Sequence, residues 1–573
     1  SEEVEEGGAD EEGETESEES EAAGVAYADF RRDGLRDAVA ASVAAWAADG
    51  SRTLVGHDLK EVLRAAGLGA ADVRAKLREQ PPEAELFDLM LVSYLLRPSH
   101  SHGLDELALE RLGHKATPAK EAGWDKGYEP PLADDRLAAY AGERVGLVRG
   151  MSTGMATELA ASPALERVYR EIEAPLVPVL LDMEETGILL DCDFLAGMSA
   201  ELASDLEAIE AEIYQVAGEQ FNVNSPAQLG EVMFDKLGYP VIKKTRKTKS
   251  PATGADVLEE LAARGFPLPE LILRFRELSK LKSTYVDALP ELVADDGRLH
   301  TRFNQAVAAT GRLSSTNPNL QNIPVRTELG QTIRKAFVAP EGRRLLVADY
   351  SQIELRVLAH IAGEEALIEA FQKGEDIHRT TAAAVLGVAP ELVNAEQRRA
   401  AKTINFGIIY GMSAFGLANT LRIGRSEAEG FIAAYFERYP GVKRYTEETL
   451  AAAEEAGGVE TLDGRVRWLP DVHSKNWNLR EAARRMAINA RIQGTAADLM
   501  KKAMIRVHRR LATDHPESLL LLTVHDELVL EVPAGAEQVV GEMVVAEMAG
   551  VAELEVPLVV DLGSGQSWYE AKD

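Results

Sequence analysis

The chain has 573 residues, enough for several separately cored domains, with an ordinary globular balance of 46% hydrophobic and 27% charged residues. Its lone cysteine, Cys192, excludes an intrachain disulfide, and no apolar run reaches the roughly 18 residues a membrane span needs. The formal net charge of −32 speaks first against a polyanionic partner, but much of that charge is local.

Residues 1–22 carry many acidic side chains and no Lys or Arg, so a solvated, disordered tail is expected there. No signal-peptide pattern opens at Ser1, and with the cysteine count this predicts a cytoplasmic protein without a membrane partner. From residue 23 to 150 short strands alternate with Ala/Leu-rich helices. GVAYADF reads as a strand, DGLRDAVAASVAAWAADG as an amphipathic helix, and TLVGHDLKEVLRAAG as a strand running into a helix. LFDLMLVSYLLRP is an apolar helix stopped by Pro98, and the whole predicts a small α/β domain. His100 and His102 lack carboxylate or cysteine partners at ligand spacing, so SHSHG reads as a polar loop.

From Pro163 onward helices dominate. VYREIEAPLVPVLLDMEETG is apolar-periodic up to Gly187 and gives way to an extended ILLD. Ser225 and Pro226 mark a helix start, as N-cap and first-turn proline. KKTRKTKSPATG is a basic, turn-rich loop carrying Lys243, Lys244, Arg246, Lys247 and Lys249. Lys280 with Lys282, and Lys501, Lys502, Arg506, Arg509 and Arg510, form further basic clusters. Charges more than about 8–10 Å away are screened, so such patches, not the global charge, decide phosphate binding. The loop at Lys243 reads equally as a solvated loop or as a set of donors to duplex phosphates.

ATGRLSSTNPNLQNIP is polar and turn-rich and holds Arg312, while RRLLVADYSQIELRVLAHIAGE is an apolar strand ending in Asp349 followed by a helix. In RRAAKTINFGIIYG, a helix puts Arg398, Lys402, Phe406 and Tyr410 at four-residue steps on one face. Two cations followed by two rings suit a ligand with a polyphosphate at one end and a flat base at the other. The alternative is a helix with a solvated basic end and a buried aromatic end. SLLLLTVHDELVLEV reads as two strands joined at His525-Asp526, a hairpin with a carboxylate at its tip. If the three strands share a sheet, Asp349 and Asp526 meet on one edge, although each alone reads as a turn residue. Paired carboxylates repel unless a cation bridges them, and Mg²⁺ held by one or two carboxylates plus substrate phosphates is the common case.

DYSQIELR (Asp349–Arg356), RRAAKTINFGIIYG (Arg398–Gly411) and VHDE (Val524–Glu527) resemble the three polymerase motifs of the family A DNA polymerases, in their large-fragment (Klenow-type) form. MEETG, KLKSTY, ATGRLSSTNPNLQNIP and NARIQGTAADLMKKAM look like further signatures, so the likeness runs from about residue 165 to the end. It implies an α+β, multidomain right hand over 165–573: palm from 165–200, 296–353 and 476–573, fingers 354–475, thumb 201–295. A ribonuclease H-like 3′–5′ exonuclease-type α/β domain would precede it over 23–150. The implied activity is template-directed, DNA-dependent DNA synthesis from dNTPs on a primer–template duplex, by a monomer serving repair and gap filling. Two Mg²⁺ ions, replaceable by Mn²⁺, would hold the attacking and leaving oxygens.

By the same resemblance, Asp349, Asp526 and the Tyr350 carbonyl hold metal, Glu527 lies nearby, and Lys402 serves catalysis. Arg398, Lys402, His378, Gln352, Phe406 and Tyr410 receive the nucleotide, and Glu354 under Tyr410 bars a ribose 2′-hydroxyl. Arg312, Asn489 and Gln493 touch the minor-groove edge, Arg485 the template, and His525 the primer end. Lys243, Lys244, Lys247, Lys280 and Lys282 meet the backbone. The exonuclease pattern is broken. Its carboxylate positions fall at Val62 and Arg144, and Asp29 is followed two places on by Arg31, so an inactive scaffold is expected there. A single-subunit RNA polymerase shares the metal aspartates, but Glu354, QNIP and QGTAAD speak against it. Intact polymerase positions speak against a catalytically silent DNA-binding scaffold.

Overall fold

The computed structural model describes residues 53–65, 85–123, 135–245, 249–324 and 327–572. The acidic start, GVAYADF, Asp29, Arg31, Arg246 and Lys247 lie outside the described residues. In the N-terminal unit, strands β1 (Thr53–Gly56) and β2 (Glu85–Asp88) pair in parallel. Helix α1 (Leu59–Leu63) follows β1, and the apolar α2 (Leu89–Leu96) follows β2 and ends before Pro98 as its sequence predicts. Asp88 ties these elements together: its carboxylate accepts from the backbone N–H groups of Asp58 (3.0 Å), Leu59 (2.7 Å) and Met90 (2.9 Å). Three amide donors satisfy a buried carboxylate at the start of a helix. The SHSHG loop is tucked in more than its composition suggests, because His102 is buried against Ser93 Oγ (2.9 Å). Helix α3 (Asp135–Ala160) closes this unit.

Helix α4 (Ala174–Thr186) is buried all round, which a helix between two cores must be. Its Val177 and Leu181 pack with Leu59, Leu91 and Tyr94 of the N-terminal core, while Leu176, Leu180 and Met183 join the main core. Polar ties reinforce the junction. Lys60 Nζ donates to Glu184 Oε1 (2.6 Å) and to the Phe303 carbonyl, and Arg64 pairs with Glu184 and Glu185. Helix α4 stops at Gly187, where φ is +64° and a Cβ would stand 2.8 Å from the Leu299 carbonyl oxygen, a place only glycine fits. The predicted extended segment follows, Ile188–Leu189 pairing with Arg298–Leu299. Helices α5 (Cys192–Ala217) and α6 (Pro267–Leu281) pack on each other beyond it.

The main sheet is antiparallel, with β3 (Arg343–Tyr350) between β5 (Glu527–Pro533) and β6 (Val560–Gly565), and β4 (Leu519–Val524) outside β5. Leu345–Ala348 are buried without alternation, as in a strand covered on both faces. Helix α7 (Ile353–Ala362) leaves β3 directly. Helices α8 (Ile377–Leu386), α9 (Ala395–Ile409) and α10 (Ala414–Leu421) follow, and the 38-residue α11 (Trp477–Asp514) packs against α7 and α4. The α+β organisation expected from the sequence is present. No helix among the described residues is long and apolar enough to cross a membrane.

Candidate active site

Register brings the two distant aspartates together. In β3, Asp349 lies opposite Glu527 on one side and Asp561 on the other. The two-residue turn between β4 and β5 places Asp526 at its tip, with His525 at φ +54°. The Tyr350 amide donates to the Asp526 carbonyl at 3.0 Å, so the tip is fastened to the end of β3. Burial pushes the Asp526 carboxyl up to about 6; Arg312 opposes this, and Glu354, Asp349 and Glu527 add to it. Burial likewise raises Asp349, with Lys572 opposing and Glu527 adding. Desolvated, mutually repelling carboxylates are an acceptor for a cation.

A resident divalent ion fits this donor set only in part. The oxygens are hard, and a cationic side chain, Lys572, already reaches Asp349 Oδ2 at 3.3 Å, showing that positive charge is accommodated here. Yet no cluster of three or more His, Cys, Asp or Glu side chains among the described residues could close a shell alone. Two carboxylates would leave most of a shell to non-protein ligands, which matches magnesium's habit of keeping them. Glu527 is not free for that task, because its buried carboxylate takes Arg334 (3.4 Å), Trp568 Nε1 (3.1 Å) and Lys572.

Helix α9 opens with a capping box between Asn394 and Gln397. It buries Ala401, Ile404, Asn405, Ile408 and Ile409 and leaves Lys402 and Tyr410 exposed, with Arg398 and Phe406 half-buried. The cation–cation–ring–ring stripe therefore faces outward, and the Phe406 and Tyr410 rings stand near-parallel, 6.4 Å apart. The end of α9 is fixed by Gly411 (φ +62°), where a Cβ would meet Arg485 Cγ of α11 at 3.0 Å. Arg485, Asn489 and Gln493 follow at four-residue steps along α11, on one face. Arg312, His525 and Asp526 line one small hollow of about 40 Å³.

Glu354, in the first turn of α7, accepts from Tyr410 Oη at 3.0 Å and from Arg312 at 2.6 Å. Burial and this carboxylate push the Tyr410 hydroxyl up to about 12. Gln352 caps α7 in a left-handed conformation (φ +54°), and its buried Oε1 has no partner. At the other end of the stripe, Asp376 caps α8 through the His378 and Arg379 amides and pairs with Arg398 at 2.6 Å. Burial works against that carboxylate, but the Arg398 bond leads the effects that leave it below its ordinary range.

His378 is buried, with Nδ1 bonded to Asn405 Nδ2 at 3.0 Å. Burial first, then Lys402 and Arg398, push its imidazole down to about 4. A folded-state value below the ordinary 6.5 means that protonation favours unfolding. Its contribution is complete above about pH 6.5 and is lost as pH falls toward 4. Replacing His378 by Gln should flatten the stability profile between pH 6.5 and 4 by at most about 3 kcal/mol. Urea unfolding across that range measures it, and an unchanged slope in the variant excludes His378 as the source.

The basic residues divide. Lys244 and Lys280 are exposed. Lys243 pairs with Asp256 (2.6 Å) and Lys282 with Asp287 (2.7 Å), both near the surface. The cluster on α11 is mostly spent internally: Lys501 is buried against Glu173, Lys502 pairs with Asp463, and Arg510 pairs with Asp514 and Glu547. Sequence reasoning missed Asp376, Arg334, Trp568 and Lys572. Only Asp376 carried a local signal, an aspartate at the N-cap of IHRTTAAAVL.

A sequence model of DNA polymerase family A matches residues 192–570. The chain is 49% identical over 495 residues to DNA polymerase I of Pseudomonas aeruginosa, covering 85% of this chain and 54% of that protein. It is 47% identical over 519 residues to thermostable DNA polymerase I of Thermus aquaticus, covering 90% of this chain and 59% of that one. It thus spans little more than half the length of these relatives. The solved POL domain of Pol1 from M. smegmatis, in complex with DNA primer-template and dNTP, superposes with a TM-score of 0.81 at 38% identity. That match covers 93% of this chain and 89% of the other.

Proposed function

The chain belongs to DNA polymerase family A, and on that premise we propose that it extends primer 3′ ends from dNTPs under direction of a DNA template. The observation that carries this reading is the approach of Asp349 and Asp526 at one end of the sheet, with Tyr410 of the outward α9 stripe bonded to Glu354 beside Asp526. The domain reading goes with it: palm 165–200, 296–353 and 476–573, fingers 354–475, thumb 201–295. A place in repair and gap filling belongs to the same reading and rests on the family resemblance alone.

Asp349, Asp526 and the Tyr350 carbonyl would hold divalent metal. Magnesium so bound supplies charge neutralisation and alignment of the attacking and leaving oxygens. Arg398 and Lys402 bind the triphosphate, and Arg398 exchanges Asp376 for a phosphate oxygen. Neutral His378 donates a hydrogen bond there without adding charge. Phe406 and Tyr410 pack on sugar and base. Arg312, Asn489 and Gln493 read the minor-groove edge, where acceptors are nearly independent of sequence. Arg485 steadies the template, His525 the primer end, and Lys244 and Lys280 the duplex backbone.

The N-terminal unit serves as a scaffold without exonuclease activity. Val62 is exposed, and Arg144 is engaged with Asp105, the Tyr140 hydroxyl (3.0 Å) and the Thr117 carbonyl (3.0 Å). Asp88 is fully used by amides.

One assay tests the reading: primer extension with dNTPs or rNTPs, with Mg²⁺ or EDTA. Templated, Mg²⁺-dependent growth with dNTPs alone is expected; growth only with rNTPs, or none, overturns it. Glu354→Ala should relax discrimination against ribonucleotides by about 10- to 100-fold. Glu354→Gln, which keeps the wall and the Tyr410 partner, should change it far less. Equal discrimination in Glu354→Ala and the parent places the sugar gate elsewhere.

A further inference from the structure

The last turn of the chain is built into the active-site sheet. Trp568 is fully buried, its amide donates to the Phe337 carbonyl (2.9 Å), and its indole N–H reaches Glu527 Oε1 at 3.1 Å. The Arg334 guanidinium covers the same indole at 4.0 Å. Two glycines of β6 make room for this turn. A Cβ on Gly563 would lie 2.1 Å from the Ala571 carbonyl oxygen, and one on Gly565 2.5 Å from Glu570 Cβ. The Lys572 amide then closes on the Tyr569 carbonyl at 3.1 Å. The result is a short, tightly seated tether that carries the Lys572 ammonium to Asp349 Oδ2 (3.3 Å) and to the Glu527 carboxylate.

On the reading that Asp349 and Asp526 hold divalent metal, we propose that Lys572 is a tethered counter-ion for Asp349, the member of that pair it reaches. It holds Asp349 before an ion arrives and competes with the ion for the same oxygen. Arg334 feels Asp349 only at longer range: it is buried, stacked on Trp568 and paired directly with Glu527. The Lys572 side chain is 33% exposed and carries its charge on a flexible stem, so it can withdraw from Asp349 and keep Glu527 without disturbing Trp568. Lys572 is therefore a positioning residue that sets how readily the carboxylates accept metal. Its own contact with substrate is not required.

Manganese binding to the DNA-free protein, followed by electron paramagnetic resonance, tests this without any turnover. A half-exposed ion pair contributes at most about 1 kcal/mol, so Lys572→Gln should bind Mn²⁺ about 2- to 5-fold more tightly. Lys572→Arg, which keeps the charge, should stay near the parent. Unchanged or weaker Mn²⁺ binding in Lys572→Gln overturns the counter-ion role. Asp349→Asn separates the two ideas. If it abolishes the bound Mn²⁺ while Lys572→Gln does nothing, only the counter-ion fails. If it leaves Mn²⁺ binding intact, the metal reading itself fails.

Discussion

Asp526→Asn is expected to cut single-turnover primer extension by about 10³-fold or more, roughly 4 kcal/mol of transition-state stabilisation, while leaving the protein folded. Asparagine keeps the shape at the hairpin tip, and the contact that seats the tip is the backbone bond from Tyr350 to the Asp526 carbonyl, which the substitution does not touch. What it removes is the charge that faces Asp349, Glu354 and Glu527. In the metal-free protein that charge is a liability, since burial and three like charges all disfavour it and only Arg312 compensates. The variant should therefore melt in EDTA at a temperature equal to or above the parent's. Loss of activity with stability held or gained is the signature of a group kept for function at the expense of the fold. Rapid-quench extension and thermal melts in EDTA measure the two halves. Extension within tenfold of the parent would mean that the reacting phosphate is held by other groups.

Asp349 and Asp526 are legible in the sequence as strand-end residues by period, and as a metal-binding pair only through the resemblance to the family A polymerases. RRLLVADY and SLLLLTVHDELVLEV are apolar runs of strand length that break at acidic residues, Asp349 in the first and Asp526-Glu527 in the second, and strand ends are where side chains leave a sheet. The stripe on α9 was legible for the same reason, because a spacing of four on a helix fixes a common face. Its outward orientation follows from the neighbours Ala401, Ile404 and Ile408, which fill the inward face. The charged residues were much less legible. Lys501 reads as part of a basic surface cluster, yet it is buried, because its partner Glu173 lies 328 positions away and no local pattern reports that. Lys572 is hidden in the same way. SWYEAKD has no periodicity, and only the fit of Trp568 and of the turn against Gly563 and Gly565 places its lysine at the site. Arg312 was expected at the minor groove, and the carboxylate that holds it, Glu354, was expected only as a wall against the sugar. Broken patterns, by contrast, are easy to read: the missing carboxylates at Val62 and Arg144 needed no partner to be noticed.

The second large effect is on stability and comes from that same buried lysine. Glu173 accepts from Lys501 Nζ (2.6 Å), from Gln305 Nε2 (2.7 Å) and from Arg465, and Arg465 also reaches Asp498 at 2.8 Å. All four charged groups are nearly or fully buried, two anions against two cations. Burial works against the Glu173 carboxylate, but Lys501 and Arg465 hold it down at about 2. Glu173→Gln leaves both cations facing Asp498 alone, and removing one partner of such a buried set costs about 3–5 kcal/mol. Urea unfolding at pH 7 should show that loss. Because the folded value lies below the ordinary 4.5, the contribution is present above about pH 4.5 and fades as pH falls toward 2, so the difference between parent and variant should shrink on acidification. Adding Lys501→Met restores neutrality and replaces the orphaned ammonium by packing, and the double variant should recover at least half of the loss. The network also bears on the active site. A Cβ on Gly311 would meet Arg465 Nε at 2.8 Å, so Arg465 props the loop that presents Arg312. Glu173→Gln should accordingly weaken primer–template binding as well as the fold. A stability loss under 1 kcal/mol would show that water or rearranged side chains satisfy Lys501 and Arg465 without it.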